Sequence, residues 1–319
     1  MDRFKKILVA ASPGHMEAFT LRAAVKLAEA NDARLTVLDV VSPVRRWGKT
    51  MQEVGGRAVD IEALLLRDRN EQLRRLFQKT RGGPNTEVLV TVGEPYIEVI
   101  RHVLTHGDDL VMVGAPGAEK GTAPQLDSGV LHLLRKCPVP VWVMRPSRAR
   151  KLRILALVDP DSSDPVRDGL NNLVLRLATS LASREGGELH VGHAWSLEFE
   201  STLRLSPFLK LPRAEVDAMV REAEADHREQ LEALVTRHHV REMGGSIHMV
   251  SGDPREALPR LVRRLGIGLI VMGTVARSGI PGLLIGNTAE SILTQIDCSV
   301  LAVKPEGFVT PVKLGRRRA

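Results

Sequence analysis

Lys6-Ile7-Leu8-Val9-Ala10-Ala11-Ser12-Pro13 is an apolar run of strand length closed by a proline turn. The chain writes the same pattern again as Arg153-Ile154-Leu155-Ala156-Leu157-Val158-Asp159-Pro160, 147 residues later. Further matches recur at an offset of 159. Val92-Gly93-Glu94-Pro95 answers Ser251-Gly252-Asp253-Pro254, and Asp109-Leu110-Val111-Met112-Val113-Gly114 answers Gly268-Leu269-Ile270-Val271-Met272-Gly273. Pro140-Val141-Trp142-Val143-Met144-Arg145 likewise answers Ser299-Val300-Leu301-Ala302-Val303-Lys304. The drift in offset gives the second copy about twelve extra residues, near its first helix and around 198–211. Two tandem copies of about 150 residues follow. Their expected bounds are 1–147 and 151–307, with a basic tail at 308–319.

Within each copy, short apolar strands alternate with amphipathic helices. Copy one reads as strands near 6–11, 34–41, 86–92, 109–114 and 140–145, with helices near 15–31, 58–80, 95–106 and 127–136. Copy two reads as strands near 153–158, 188–195, 246–251, 268–273 and 299–304, with helices near 165–184, 213–239, 254–265 and 287–296. In the helix 58–80, Ile61, Leu64, Leu65, Leu73 and Leu76 fall on one side, which predicts a core-facing stripe. Continuous apolar strands joined through helices predict a parallel sheet covered on both faces, in a doubly wound α/β fold. Ligands bind such sheets outside the carboxyl ends of the strands, at the switch point. That places Ser12 and Gly114 at the mouth of copy one, and Asp159 and Gly273 at the mouth of copy two.

Composition narrows the function classes. The 319 residues are 43% hydrophobic and 26% charged, ordinary for a globular protein, so a sizeable core is available. Aromatics are only 3%, which makes the cores aliphatic and argues against a base-stacking surface for single-stranded nucleic acid. Two cysteines exclude a disulfide scaffold, and Cys137 and Cys298 read as buried thiols at the start of the fifth strands. No signal peptide or membrane-spanning run is evident, so a cytoplasmic location is expected. The net charge is +7, but five basic residues lie between Arg145 and Arg153 and four more from Lys313 onward. Without those nine the remainder carries −2, so the excess is assigned to a linker and a tail. Nucleic-acid binding through them would show strong salt dependence and is not the favoured reading.

After the fourth strand of copy two runs Gly273-Thr274-Val275-Ala276-Arg277-Ser278-Gly279-Ile280-Pro281-Gly282-Leu283-Leu284-Ile285-Gly286-Asn287-Thr288-Ala289-Glu290. Its glycines either serve the turns alone or let backbone approach a phosphate beside a helix N-terminus, with Asn287 or Thr288 as N-cap. This loop resembles the nucleotide loop of universal stress proteins, Gly-x-x-Gly, nine residues, then Gly-Ser/Thr. Leu133-Leu134-Arg135-Lys136-Cys137-Pro138-Val139-Pro140-Val141-Trp142, Gly286-Asn287-Thr288-Ala289-Glu290 and Thr310-Pro311-Val312 resemble the tandem bacterial members of that family. The resemblance covers about residues 4–313. It implies a cytoplasmic stress-response binding module with two Rossmann-like, five-stranded parallel sheets that pair as an internal pseudo-dimer. Pairing through the fifth strands would hide an open sheet edge. Separated halves are therefore expected to self-associate in a sedimentation experiment, and two well-behaved monomers would refute that pairing.

The departures from the family pattern differ between the copies. Nucleotide-binding members place Asp after the first strand, where copy one has Ser12. Copy one keeps Gly114 and Gly117 but has Asp127 at the third glycine, followed by Ser128. A carboxylate there would repel a triphosphate and would cap the helix without any ligand. Copy one is thus read as degenerate. Copy two keeps Asp159, Gly273 and Gly286, has Arg277 in the loop, and departs at Ala276 and Asn287. If a nucleotide binds, the resemblance places ATP in copy two against Asp159, Gly273, Arg277, Gly286, Asn287 and Thr288.

Other constellations point less far. There is no G-x-S-x-G elbow, H-E-x-x-H or P-loop, so no catalytic residue is assigned; slow hydrolysis or an adenylate-forming activity is the minor alternative. No metal site is expected: His238 and His239 point apart on a helix, and His190 and His193 lie on opposite faces of a strand. The segment 197–214, with Phe199, Leu203, Leu205, Phe208 and Leu209, reads as a connection packed on its own sheet. The other reading is a cover over an apolar cavity for a hydrophobic or lipid-like ligand. Val44 to Gly56, with Trp47 and Met51, would play the matching part in copy one.

Overall fold

The computed structural model describes residues 4–11, 18–43, 51–54, 57–79, 85–115, 126–146, 151–161, 163–206, 208–274 and 286–314. They fall into two compact units. The first contains β1 (Lys6–Ala11), α1 (Ala18–Asn31), β2 (Arg34–Val41), β3 (Met51–Val54), β4 (Arg57–Asp60), α2 (Ile61–Lys79), β5 (Thr86–Val92), α3 (Pro95–His106), β6 (Leu110–Gly114), α4 (Ser128–Lys136) and β7 (Val141–Met144). The second contains β8 (Arg153–Leu157), α5 (Pro165–Glu185), β9 (Glu188–Trp195), α6 (Glu200–Leu205), α7 (Arg213–Arg237), β10 (Ser246–Ser251), α8 (Pro254–Leu265), β11 (Leu269–Gly273), α9 (Asn287–Leu293) and β12 (Ser299–Val303).

Each unit has a five-stranded parallel sheet with the same strand order. In the first, β1 lies between β2 and β6, β5 follows β2, and β7 follows β6. In the second, β8 lies between β9 and β11, β10 follows β9, and β12 follows β11. The sheet centres are aliphatic because helices cover both faces: Ile7, Leu8 and Val9 in β1, and Ile154, Leu155 and Ala156 in β8, are fully buried. Each such Leu or Ile contributes roughly 1.5–3 kcal/mol through burial. Cys137 and Cys298 are buried thiols with no disulfide. No helix among the described residues is long and apolar enough to cross a membrane.

Four expectations change. The stripe on α2 is only partly buried: Leu73 is in the core, but Leu64 and Leu65 are exposed. Arg69, not a leucine, reaches inward from the middle of that helix, to Asp39. Residues 57–60 form β4, the antiparallel partner of β3, rather than the start of the helix; Trp47 lies outside the described residues. The segment 197–214 holds α6; Leu197, Leu203 and Leu211 are half-buried, but Phe199, Leu205, Phe208 and Leu209 face solvent, so its apolar residues pack only in part. The basic linker is partly spent on structure: Arg145 is buried, while Lys151 and Arg153 both pair with Glu188. The described part of the tail, 308–314, belongs to the first unit, where Arg101 Nε donates to the Lys313 carbonyl at 3.3 Å.

Candidate functional site

The switch point of the second unit lies between β8 and β11, where Leu157 is level with Met272. Asp159 follows on one side and Gly273 on the other. The buried Asn171 of α5 fixes the backbone of Asp159: its Nδ2 donates to the Asp159 carbonyl at 2.8 Å, and its Oδ1 accepts from the Asp159 N–H at 3.0 Å. The Asp159 carboxylate remains 38% exposed, with Arg167 Nη1 at 3.7 Å. Arg167 also meets Asp161 at 2.8 Å and Asp164 at 3.6 Å. Asp164 is the N-cap of α5, accepting from the N–H groups of Val166 and Arg167. One guanidinium thus serves three carboxylates at the mouth. Sequence reasoning passed over Arg167, although Asp164-Pro165 marks the helix start that positions it. Beside the mouth, a cleft of about 310 Å³ is lined by Asp161, Asp168, Asp226, Glu229 and Gln230, with Arg237 pinned to Asp168 at 2.9 Å.

Across the switch point the two ends of the glycine loop are tied together. Gly286 N–H donates to the Thr274 carbonyl at 3.1 Å, and Thr274 N–H donates to the Val303 carbonyl at 3.2 Å. The buried Lys304 at the end of β12 donates from Nζ to Thr274 Oγ1 at 2.6 Å. Gly273 and Gly286 are therefore brought together, with Thr274 between them. Gly273 also has a structural reason to be glycine: a Cβ there would lie 2.5 Å from Leu170 Cδ2. The N-cap of α9 is Gly286, not Asn287 or Thr288, and no side chain caps it. Asn287 and Thr288 are exposed in the first turn. Arg277 lies outside the described residues, as do Ala276, Ser12 and Gly117.

The first unit closes the corresponding helix start. Asp127 is the N-cap of α4, and its Oδ1 accepts from Val130 N–H at 2.8 Å. Its carboxylate occupies the donors that stand uncapped at Gly286.

Behind each mouth a polar bridge ties the second strand of the sheet to the long helix. In the first unit Asp39 on β2, fully buried, accepts from Arg69 Nε of α2 at 2.8 Å. In the second unit the buried His193 on β9 meets His227 of α7, Nε2 to Nδ1, at 3.0 Å. His193 Nδ1 lies 3.2 Å from the Val158 carbonyl, one residue before Asp159. With Nδ1 donating to that carbonyl, His193 Nε2 accepts from His227 Nδ1. His190 takes a different partner, His248 on β10, at 3.1 Å. No group of three side chains suited to a metal ion occurs among the described residues.

Burial holds His190 and His248 below the usual histidine range, because each charged ring would lose hydration. The unfolded chain therefore binds more protons than the folded one. The stability they contribute is complete above about pH 6.5 and falls as pH drops through and below it. Thermal melts of the second unit are expected to shift down between pH 7 and pH 5.5, and less so in His248→Gln. A pH-independent melting temperature would refute the assignment.

The universal stress protein family model matches residues 3–145 and again 153–304. Universal stress protein E of Escherichia coli K12 is 28% identical over 235 residues, 73% of this chain and 72% of that one. The Haemophilus influenzae homologue of that protein is 25% identical over 322 residues, covering 95% and 98%. Among solved structures, a Pseudomonas aeruginosa PAO1 protein of unknown function superposes with a TM-score of 0.66 at 25% identity, over 96% of this chain and 95% of that one. A universal stress protein of Archaeoglobus fulgidus gives 0.60 at 17% identity, over 93% and 98%, and shows the same fold.

Proposed function

Since the chain belongs to the universal stress protein family in both of its halves, we propose that it acts in the cytoplasm as a stress-response binding protein, with ATP taken by the second domain. The observation that carries this reading is the asymmetry of the two helix starts. Gly286 leaves the first turn of α9 uncapped beside a tied loop, whereas Asp127 fills the same place in the first domain with its own carboxylate. In this reading Asp159 faces the base and sugar. Asn287 and Thr288 stand exposed in the first turn of α9, and the family pattern assigns the phosphates to this helix start, with Arg277 in the loop sequence supplying positive charge. Among the described residues at the mouth none is arranged as a nucleophile with its base, and the reading is of binding.

The test is direct. Protein purified without added nucleotide is denatured, and the released small molecules are identified by absorbance and mass. The protein is then titrated with labelled ATP. Ala276→Gly is expected to tighten binding, since it restores the second glycine of the family pattern. Absence of nucleotide in the preparation together with no saturable ATP binding would overturn the reading.

A further inference from the structure

We infer that α6 and the turn after it form a self-association surface, through which two copies of this chain pair about a two-fold axis. Four large apolar side chains in eleven consecutive residues stand in water: Phe199 is 74% exposed, Leu205 81%, Phe208 93% and Leu209 50%. The described residues of the segment are held by hydrogen bonds and an ion pair. Leu203 N–H donates to the Phe199 carbonyl, Ser206 Oγ accepts from the N–H groups of Phe208 and Leu209, and Arg204 ties α6 to α7 through Asp217 at 2.8 Å. Its two ends are held in a left-handed backbone conformation by non-glycine residues, Phe199 at φ 60° and Lys210 at φ 44°. Side chains with a Cβ rarely adopt that conformation unless the surroundings enforce it. The display of apolar groups is therefore built into the segment.

Two observations select a second copy as the occupant. The first is area. At roughly 200 Å² for a fully exposed large side chain, the four present on the order of 550 Å² of apolar surface. That is the upper end of what monomers tolerate, and about two thirds of the ~800 Å² per partner of a standard interface. The second is charge. Around the patch, Glu198, Glu215, Lys210 and Arg213 have no ion-pair partner among the described residues, while Arg204 is spent on Glu200 and Asp217. With Arg204, Glu200 and Asp217 counted, the rim mixes four acids and three bases and is close to neutral, at about −1. Under two-fold symmetry such a rim complements itself, because the bases of one copy can face the acids of the other. An anionic membrane would instead call for an excess of Lys and Arg.

The full-length chain, studied by sedimentation equilibrium, is expected to dimerise with a dissociation constant in the micromolar range or tighter. The double variant Leu205→Glu, Phe208→Glu should weaken the dimer more than about tenfold, because it places like charges at the centre of the interface. Both side chains are exposed, so circular dichroism and melting temperature should not change; Phe208→Ser gives the same reading with less charge. Lys210→Glu, Arg213→Glu should also weaken the dimer. Adding Glu198→Lys, Glu215→Lys to that variant should restore it. A monomer at every concentration overturns the inference. So does a dimer indifferent to these variants, or a monomer that floats with vesicles of mixed neutral and anionic phospholipid.

Discussion

Arg69→Met is expected to destabilise the first domain by about 3 kcal/mol, the low end of the cost of breaking a buried ion pair from one side. Asp39 has no exposed surface, while the Arg69 side chain is 26% exposed, which sets the estimate at that end. Asp39 Oδ1 already lacks a hydrogen-bond partner, so removing the guanidinium strands both carboxylate oxygens in the core. Asp39→Leu combined with Arg69→Met should recover most of the loss, since a buried pair replaced by apolar side chains of similar volume is close to neutral. The equivalent change in the second domain, His227→Met, should cost only about 1 kcal/mol. It removes one hydrogen bond between two imidazoles, and His193 keeps its bond to the Val158 carbonyl. Urea melts followed by hydrogen exchange, which separates the two domains, measure each value. A loss below about 1 kcal/mol in Arg69→Met would show that Asp39 finds another partner or water and that the bridge to α2 does not hold it.

The strands were legible because burial on both faces requires the unbroken aliphatic runs that the repeat displays, as in Ile7-Leu8-Val9 and Ile154-Leu155-Ala156. The switch point followed from topology alone, and β8 does pair with β11 there. What escaped had no period to betray it. The hairpin β3–β4 is two strands of four residues, and α6 is a helix of six, too short for a pattern to repeat. On α2 the leucine spacing promised a buried stripe, yet Asp39 draws Arg69 inward and leaves Leu64 exposed. At the site, Asp159 and the glycines could be named, but the cluster around Arg167 and the buried Lys304 could not. Their partners lie on other elements, and a lysine closing a strand resembles any solvated end. The bond between His193 and His227 spans 34 residues, a separation at which no spacing rule operates.

Gly286→Asp is expected to abolish ATP binding and, at the same time, to leave the second domain slightly more stable. The two effects have opposite signs because they act on the same backbone donors. In the first domain Asp127 accepts from Val130 N–H at 2.8 Å. An aspartate at Gly286 would reach the corresponding donor of α9, where no side chain now caps the helix. Replacing glycine at an N-cap by aspartate gains a few tenths of a kcal/mol, and the negative charge at the helix N-terminus adds a comparable amount. The same charge faces the phosphates. At about 4 Å, two unit charges repel by roughly 4 kcal/mol at an effective dielectric of 20. That corresponds to a loss in affinity of nearly a thousandfold. Salt weakens the repulsion, so the deficit should shrink at high ionic strength while the gain from the direct hydrogen bond persists. Labelled ATP titration and a thermal melt of the same variant decide between the outcomes. Saturable binding at wild-type affinity in a stabilised Gly286→Asp would place any nucleotide away from this helix start. Lost binding together with a lowered melting temperature would mean that the substitution had damaged the fold, and with it the tie from Gly286 to Thr274, instead of filling an anion site.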